Sequence, residues 1–229
     1  MKWNDDSELL QIARTELFSA VIGDVMDKLG LRRQFLPQPI QPLRREMVVA
    51  GRAMTVLEAN FFEDVCEGSP NPISAKSFGL MLEALDDLKT NEVYVCTGAA
   101  PRFALWGELM TRRALRCGAA GAVLDGFSRD TRGVLASGFP VFSRGSYAQD
   151  QGPRGKVVDF RVPIEMEGVR IEPGDILFGD MDGVCVVPKA AERDVFVRAL
   201  EKARAEKTVG RALDDGMTAG EAFAKFGIL

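Results

Sequence analysis

The residues most able to do chemistry stand in two short stretches. Leu105-Trp106-Gly107-Glu108-Leu109-Met110 opens a helix, which leaves the backbone N–H groups of Leu109 and Met110 free to bind a carboxylate. Twenty residues separate Glu108 from Arg129-Asp130, at the end of Asp125-Gly126-Phe127-Ser128-Arg129-Asp130, a planar positive fork next to an acid. Glu108 and Asp130 beside one anion pocket suit a hard divalent cation that keeps several waters, Mg²⁺ or Mn²⁺. A plainer reading makes Arg129-Asp130 a solvated helix start and Glu108 a first-turn acid that offsets the helix dipole. Asp180 and Asp182 resemble a D-x-D metal pair but read as turn residues.

What is missing narrows the chemistry further. The 229 residues include no histidine, the usual general base and zinc ligand near neutral pH, so Ser-His-Asp and Cys-His hydrolysis and HExxH proteolysis are excluded. None of the 23 glycines stands two positions from another, so no GxGxxG dinucleotide loop can be written. Gly155-Lys156 is followed by Val157, and Asp150 stands where a P-loop needs its first glycine. Catalysis must rest on carboxylates, arginine, lysine, thiols, hydroxyls or a metal held by oxygen. The net charge of −4 provides no basic field for nucleic acid or an anionic membrane, and neither is expected as a partner. Cys66, Cys96, Cys117 and Cys185 form no CxxC pair and are expected to be reduced, mostly buried thiols. The acidic, polar start and the lack of a run of about 18 apolar residues predict a cytoplasmic protein.

The elements that must position these residues follow from periodicity. One amphipathic helix is expected over 7–29, capped by Ser7 and stopped by Gly30. A strand, or two broken at Gly51, should cover 47–57, with a loop over 61–73 and a helix over 74–88. Then come a strand over 93–96, a helix from 107 through 115, a strand over 122–125 and a helix over 129–136. Past 140 the pattern turns to β: 141–142, 157–162, a piece near 169, and the pair 176–178 and 184–187 around a hairpin turn at Asp180-Met181-Asp182-Gly183. Helices over 190–207 and near 221 end the chain. This predicts one α/β domain over 1–229 with a mixed sheet. Parallel strands at 93–96 and 122–125 end on one edge, so the loops carrying Glu108 and Arg129-Asp130 face one crevice.

Leu105-Trp106-Gly107-Glu108, the run Gly121 to Asp130, Pro140-Val141-Phe142, Pro173-Gly174-Asp175 and Gly179-Asp180-Met181-Asp182-Gly183-Val184 together resemble the RraA-like family. The resemblance extends from Gly23-Asp24-Val25-Met26-Asp27 to the last helix. That family includes class II pyruvate aldolases acting on 4-hydroxy-4-methyl-2-oxoglutarate and the regulator of ribonuclease E activity. The resemblance implies a swivelling β/β/α fold and a small 2-oxo acid substrate. It also implies that Asp130 ligates the divalent metal, Arg129 contacts the keto or enolate oxygen, and Gly107, Glu108, Leu109 and Met110 bind the substrate carboxylate. Glu108 would hold a water on the metal; the family's aldolases carry aspartate there, so the acid is one methylene longer here. Cleavage would pass through a pyruvate enolate, which oxaloacetate decarboxylation shares. The alternative the resemblance allows is a non-catalytic, protein-binding regulator, which lacks the acid after the arginine; Asp130 favours the enzyme. The resemblance further implies a ring-like trimer, or a hexamer of two, in which the helix over 190–207 would carry Glu206 into a neighbour's crevice. The competing reading leaves Glu206 in solvent.

Overall fold

The computed structural model describes residues 3–65 and 67–228, so Cys66 lies outside the described residues. In chain order the elements are α1 (Asp6–Glu16), α2 (Ser19–Lys28), β1 (Gln41–Pro42), β2 (Val49–Asn60), α3 (Met81–Asp86), β3 (Glu92–Thr97), β4 (Ala104–Trp106), α4 (Glu108–Cys117), β5 (Gly121–Leu124) and β6 (Phe127–Ser128). They continue with α5 (Thr131–Ser137), β7 (Val141–Ser143), β8 (Gly155–Phe160), β9 (Ile164–Met166), β10 (Val169–Ile171), β11 (Ile176–Asp180), β12 (Gly183–Val187), α6 (Glu192–Asp214) and α7 (Ala219–Phe226). The main sheet runs β1-β7-β5-β3-β2-β11-β12, and β8 also pairs with β2. Strands β2, β3, β5 and β7 are parallel neighbours, whereas β1, β8, β11 and β12 pair antiparallel, as the mixed-sheet expectation requires.

Strand alternation divides the core. Tyr94 and Cys96 of β3 pack with Met81, Ala114 and Val134 of α3, α4 and α5. Val93 and Val95 face the other way, toward Ile164 and Val169 of the β9–β10 hairpin. Leu10, Ile22 and Phe196 of α1, α2 and α6 cover Phe178 and Cys185 of the β11–β12 end. Gly51 does not break β2. A Cβ there would lie 2.6 Å from the Asn91 carbonyl oxygen, so the glycine serves a close approach inside a continuous strand.

The single helix expected over 7–29 is two, and its cap is Asp5, whose carboxylate accepts from Glu8 N at 2.9 Å, rather than Ser7. Leu17 and Phe18 are extended between the helices. The cause is tertiary: Asp180, at the β11–β12 turn, accepts from both the N–H and the hydroxyl of Ser19 at 2.7 Å and so caps α2 from across the fold. This fits the turn reading of Asp180 over the metal reading. Asp180→Ala is expected to lower unfolding free energy by about 1 kcal/mol, the usual size of a lost helix cap. Urea titration measures it, and an unchanged midpoint would contradict the capping role.

The helix expected over 74–88 shrinks to a 3₁₀ turn at Pro72–Ala75 and the six-residue α3. Between them the chain pairs with β8: Leu80 N donates to Val157 O at 2.8 Å, and at Gly79 a Cβ would lie 2.2 Å from that oxygen. Lys156 locks this loop. Its side chain is fully buried, and Nζ donates to the carbonyls of Asp64, Ser74 and Lys76 at 2.6, 2.8 and 2.7 Å. One internal ammonium thus organises three carbonyls of an otherwise irregular segment.

Candidate active site

The parallel pairing of β3 with β5 puts the two chemistry-bearing loops on one edge, as expected. A feature the sequence reading missed joins them more closely: β4 and β6 form their own parallel pair, and Arg129 N donates to Trp106 O at 2.9 Å. The loop after β5 is anchored by Asp125, which accepts from Thr97 Oγ1 at 2.8 Å and from Arg144 Nε at 2.7 Å. Trp106 stacks on Phe139 and donates from Nε1 to Thr111 Oγ1 at 2.7 Å, which fixes the start of α4.

Gly107 precedes α4 in extended backbone, and a Cβ there would lie 2.8 Å from Asp130 Oδ2. Its absence lets Glu108 N come to 3.4 Å from that oxygen. The N–H groups of Leu109 and Met110 have no hydrogen-bond partner among the described residues. Asp130 sits in the left-handed region at φ +53, a conformation that costs energy for a residue with a side chain. Its Oδ2 lies 3.9 Å from Arg129 Nε, while Oδ1 has no partner among the described residues. The guanidinium continues to Asp150, with Nη2 3.2 Å from Oδ1. Asp150 was not among the expected site residues. It arrives through a bridge between Ala104 and Asp150, in a polar stretch without periodicity to announce it.

Gly107, Leu109, Met110, Arg129, Asp130 and Asp150 all line one cavity of about 260 Å³. Asp130 also lines two neighbouring cavities, one with Ser146 and Tyr147 and one with Glu108 and Gly133. Glu108 therefore neighbours Asp130 without lining the 260 Å³ cavity; its Oε1 accepts from Arg112 Nε at 3.0 Å and its carboxylate lies against Gly133. Glu206 stands apart within one chain. It pairs with Lys202, whose Nζ is also 3.0 Å from Asp24, and lines none of the cavities that hold Arg129 or Asp130. Any role for Glu206 at this site therefore belongs to a neighbouring copy.

Among the described residues no three His, Cys, Asp or Glu side chains gather into a metal cage. The donor set at Asp130, one carboxylate with an unpartnered oxygen open to three cavities, fits a hard cation that retains most of its water. It does not fit zinc or another soft metal, which needs nitrogen or sulfur ligands.

Away from this cavity, Glu58 of β2 is 2 % exposed, its Oε1 lacks a partner, and its Oε2 accepts from Cys96 Sγ at 3.5 Å. Burial pushes its carboxyl up to about 8. Burial, together with Glu58 beside it, also pushes the Cys96 thiol well up, so this cysteine is inert at neutral pH. Cys96, Cys117 and Cys185 are free thiols. No helix among the described residues is long and apolar enough to cross a membrane.

Known proteins resemble this chain in sequence and fold. A protein of Halalkalibacterium halodurans with the provisional name 4-hydroxy-4-methyl-2-oxoglutarate aldolase is 32% identical over 81% of this chain and 77% of its own. A solved structure described as a novel cellulase from gut-associated microbes superposes with TM-score 0.79 at 32% identity, covering 91% of this chain and 90% of that one. Streptomyces coelicolor RraAS2, described as an unusual member of the RNase ES inhibitor RraA family, shares the fold at TM-score 0.73 and 23% identity, covering 90% and 98% of the two chains. The RraA-like family model, described as Aldolase/RraA, matches residues 19–186, a span that includes every element around the 260 Å³ cavity, and the chain belongs to that family.

Proposed function

We propose that the protein is a divalent-metal-dependent carbon–carbon lyase that releases pyruvate from a 4-hydroxy-2-oxo acid, and that it also decarboxylates oxaloacetate. One observation carries this reading: an arginine, a carboxylate with a free oxygen and two unpartnered helix N–H groups line the same small cavity. The N–H groups of Leu109 and Met110 hold the substrate carboxylate, helped by the dipole of α4. Arg129 holds the C2 oxygen, oriented by Asp150, and its fixed charge is worth most when that oxygen becomes an enolate. Asp130 is the metal ligand, and Mg²⁺ or Mn²⁺ bound there would supply Lewis-acid polarisation of the 2-oxo group.

As the C3–C4 bond breaks, the C4 hydroxyl loses its proton and becomes a carbonyl. The bonding pair moves into the C2–C3 enolate, and protonation at C3 completes pyruvate. Glu108, which shares the neighbouring cavity with Asp130 rather than lining the substrate's own, takes the hydroxyl proton through an intervening water. The same enolate forms when oxaloacetate loses carbon dioxide, so both substrates use Arg129 in the same way.

A cavity of about 260 Å³ holds a small molecule and offers no extended groove for a polysaccharide, so the cellulase description of the structural relative is not carried over. The non-catalytic regulator reading requires no free carboxylate beside the arginine, and Asp130 supplies one. Coupled pyruvate release from 4-hydroxy-2-oxo acids and oxaloacetate, with and without Mg²⁺, tests the proposal. Activity is expected to vanish on chelation and return with Mg²⁺ or Mn²⁺. Full turnover by metal-free protein in excess EDTA would overturn the metal role, and no pyruvate from any substrate would favour the regulator.

A further inference from the structure

We propose that Asp150 is the acid–base group for carbon C3: it gives a proton to the enolate during cleavage and removes one from the pyruvate methyl group in the reverse direction. The inference rests on the lyase reading above and assigns the proton transfer at carbon, which is separate from the one at the C4 hydroxyl.

In lysis a proton leaves the C4 hydroxyl toward Glu108, and another arrives at C3. A group that serves a carbon atom must come within direct reach of it. Much of the cavity wall is apolar and cannot do so, including Phe78, Met81 and Leu85 from the segment around α3. Of this chain's described side chains that line the cavity, Asp130 and Asp150 are the ones able to change protonation, since an arginine keeps its charge. Asp130 is given to the cation, which occupies the lone pair a base would use. Asp150 remains.

Its geometry suits the task. Asp150 Oδ1 is 3.2 Å from Arg129 Nη2, yet the side chain is 35% exposed, so the carboxylate is held in place and still accessible to a ligand. Oδ2 lies beside Gly152, where a Cβ would come within 3.1 Å, and the missing side chain keeps room at that oxygen. The backbone is fixed independently: Asp150 bridges to Ala104 of β4, and Arg154 Nη1 donates to its carbonyl oxygen at 3.0 Å. The acid is thus positioned before substrate arrives.

One guanidinium brings the reacting atoms together. Arg129 holds the C2 oxygen, C3 is bonded to C2, and Asp150 sits on the same side chain. When the Asp150 carboxylate takes a methyl proton, the C–H pair becomes the C2–C3 double bond and the negative charge passes from Asp150 to the C2 oxygen. Both positions face Arg129, so the charge moves within one field instead of appearing in an apolar cavity. In cleavage the neutral acid gives its proton to C3, the double bond supplies the new C–H pair, and the carboxylate is restored. Cavity water reloads Asp150, and the proton collected by Glu108 returns to water, so lysis has no net proton change. Oxaloacetate needs the same protonation at C3 and draws one proton from solvent for each carbon dioxide lost.

The test follows two reactions of the protein with Mg²⁺. Deuterium entry into the methyl group of pyruvate in heavy water, read by proton NMR, needs a base at C3. Oxaloacetate decarboxylation, read as carbon dioxide release, makes the same enolate without removing a proton. Asp150→Asn keeps an oxygen for Arg129 and loses the base, so exchange is expected to fall at least about 100-fold further than decarboxylation, the usual contribution of a positioned general base. Residual decarboxylation also reports that the variant is folded. An Asp150 that only orients Arg129 would give equal losses, because both reactions depend on Arg129 at the C2 oxygen, and equal losses overturn the proposal. Asp150→Glu keeps a carboxyl group and should hold the ratio of exchange to decarboxylation within about tenfold of native. A ratio as low as that of the asparagine variant would show that exchange does not need the acid. A native protein that decarboxylates oxaloacetate without exchanging pyruvate overturns the role of Asp150 and leaves the lyase reading standing; one that does neither overturns both.

Discussion

Arg129→Lys is expected to lower kcat for pyruvate release by about 10²-fold or more, the usual cost of losing one preformed donor to a developing oxyanion. The substitution keeps the positive charge, so its effect isolates geometry. In the native site the guanidinium lies between two carboxylates, with Nη2 3.2 Å from Asp150 Oδ1 and Nε 3.9 Å from Asp130 Oδ2. That planar fork keeps a third face toward the substrate oxygen while both acids fix its orientation. A lysine ammonium at the end of a flexible stem would settle on one carboxylate and leave the oxygen unserved. Because the side chain is partly exposed and the Arg129 backbone bond to Trp106 O is untouched, the fold should survive, and the loss should appear in kcat. Near-native kcat in the lysine variant would make Arg129 a surface cap. Asp130→Asn should lose activity as chelation does, whereas Asp180→Asn, at the cap of α2, should stay within a few fold of native; the opposite pattern would mean that the carboxylates have been assigned the wrong way round.

The parts of this site legible in the sequence are those fixed by short-range rules. Buried β3 and β5, the intervening amphipathic α4 and the β11–β12 hairpin announce themselves by periodicity and turn chemistry, and parallel pairing then puts Gly107 and Arg129 on one edge. What the sequence hides is set by partners far along the chain. The break between α1 and α2 contains neither glycine nor proline; the carboxylate that caps α2 is 161 residues away. The wall of Phe78 and Met81 belongs to a segment that reads as helix, yet it is drawn to β8 by backbone pairing and by a lysine about eighty residues on. Asp150 enters the site only because an irregular stretch bridges to β4, a strand of three residues too short to show a period. Glu108 reads from the sequence as a residue at the substrate, and the fold places it one cavity away, against Gly133, where the first turn of α5 presents a surface free of side chain.

The absence of histidine has a second consequence, for stability rather than chemistry. In most proteins the interval between pH 5 and 8 is dominated by imidazole titration. Here the resolved shift that enters that interval among the described residues is that of Glu58, raised from an ordinary 4.5 to about 8 by burial. Below about pH 4 the carboxyl is protonated in both the folded and unfolded chains, and the buried acid costs no ionisation. Between the two values the unfolded chain has released its proton while the folded chain keeps it, so each rise in pH favours unfolding. Above about 8 both forms are ionised and the loss is complete. Unfolding free energy is therefore expected to fall by roughly 1 kcal/mol per pH unit across pH 5 to 8, a few kcal/mol in all. The carboxyls held low by arginine, lysine or a helix cap, Asp6, Glu16, Glu83, Asp87 and Glu221, act in the opposite sense, losing stability only as the pH falls toward 4 and below, and so do not mask the effect. Glu58→Gln keeps the shape and removes the titration: urea midpoints at pH 5.5 and 8.5 should converge, with the variant more stable than the native protein at the higher pH. Gly155, where a Cβ would lie 2.3 Å from Glu58 Oε1, leaves room for the carboxyl or the amide but for nothing larger beside it. A native protein whose midpoint does not fall between pH 5.5 and 8.5 would show that the Glu58 carboxyl reaches water or a cation as the chain breathes.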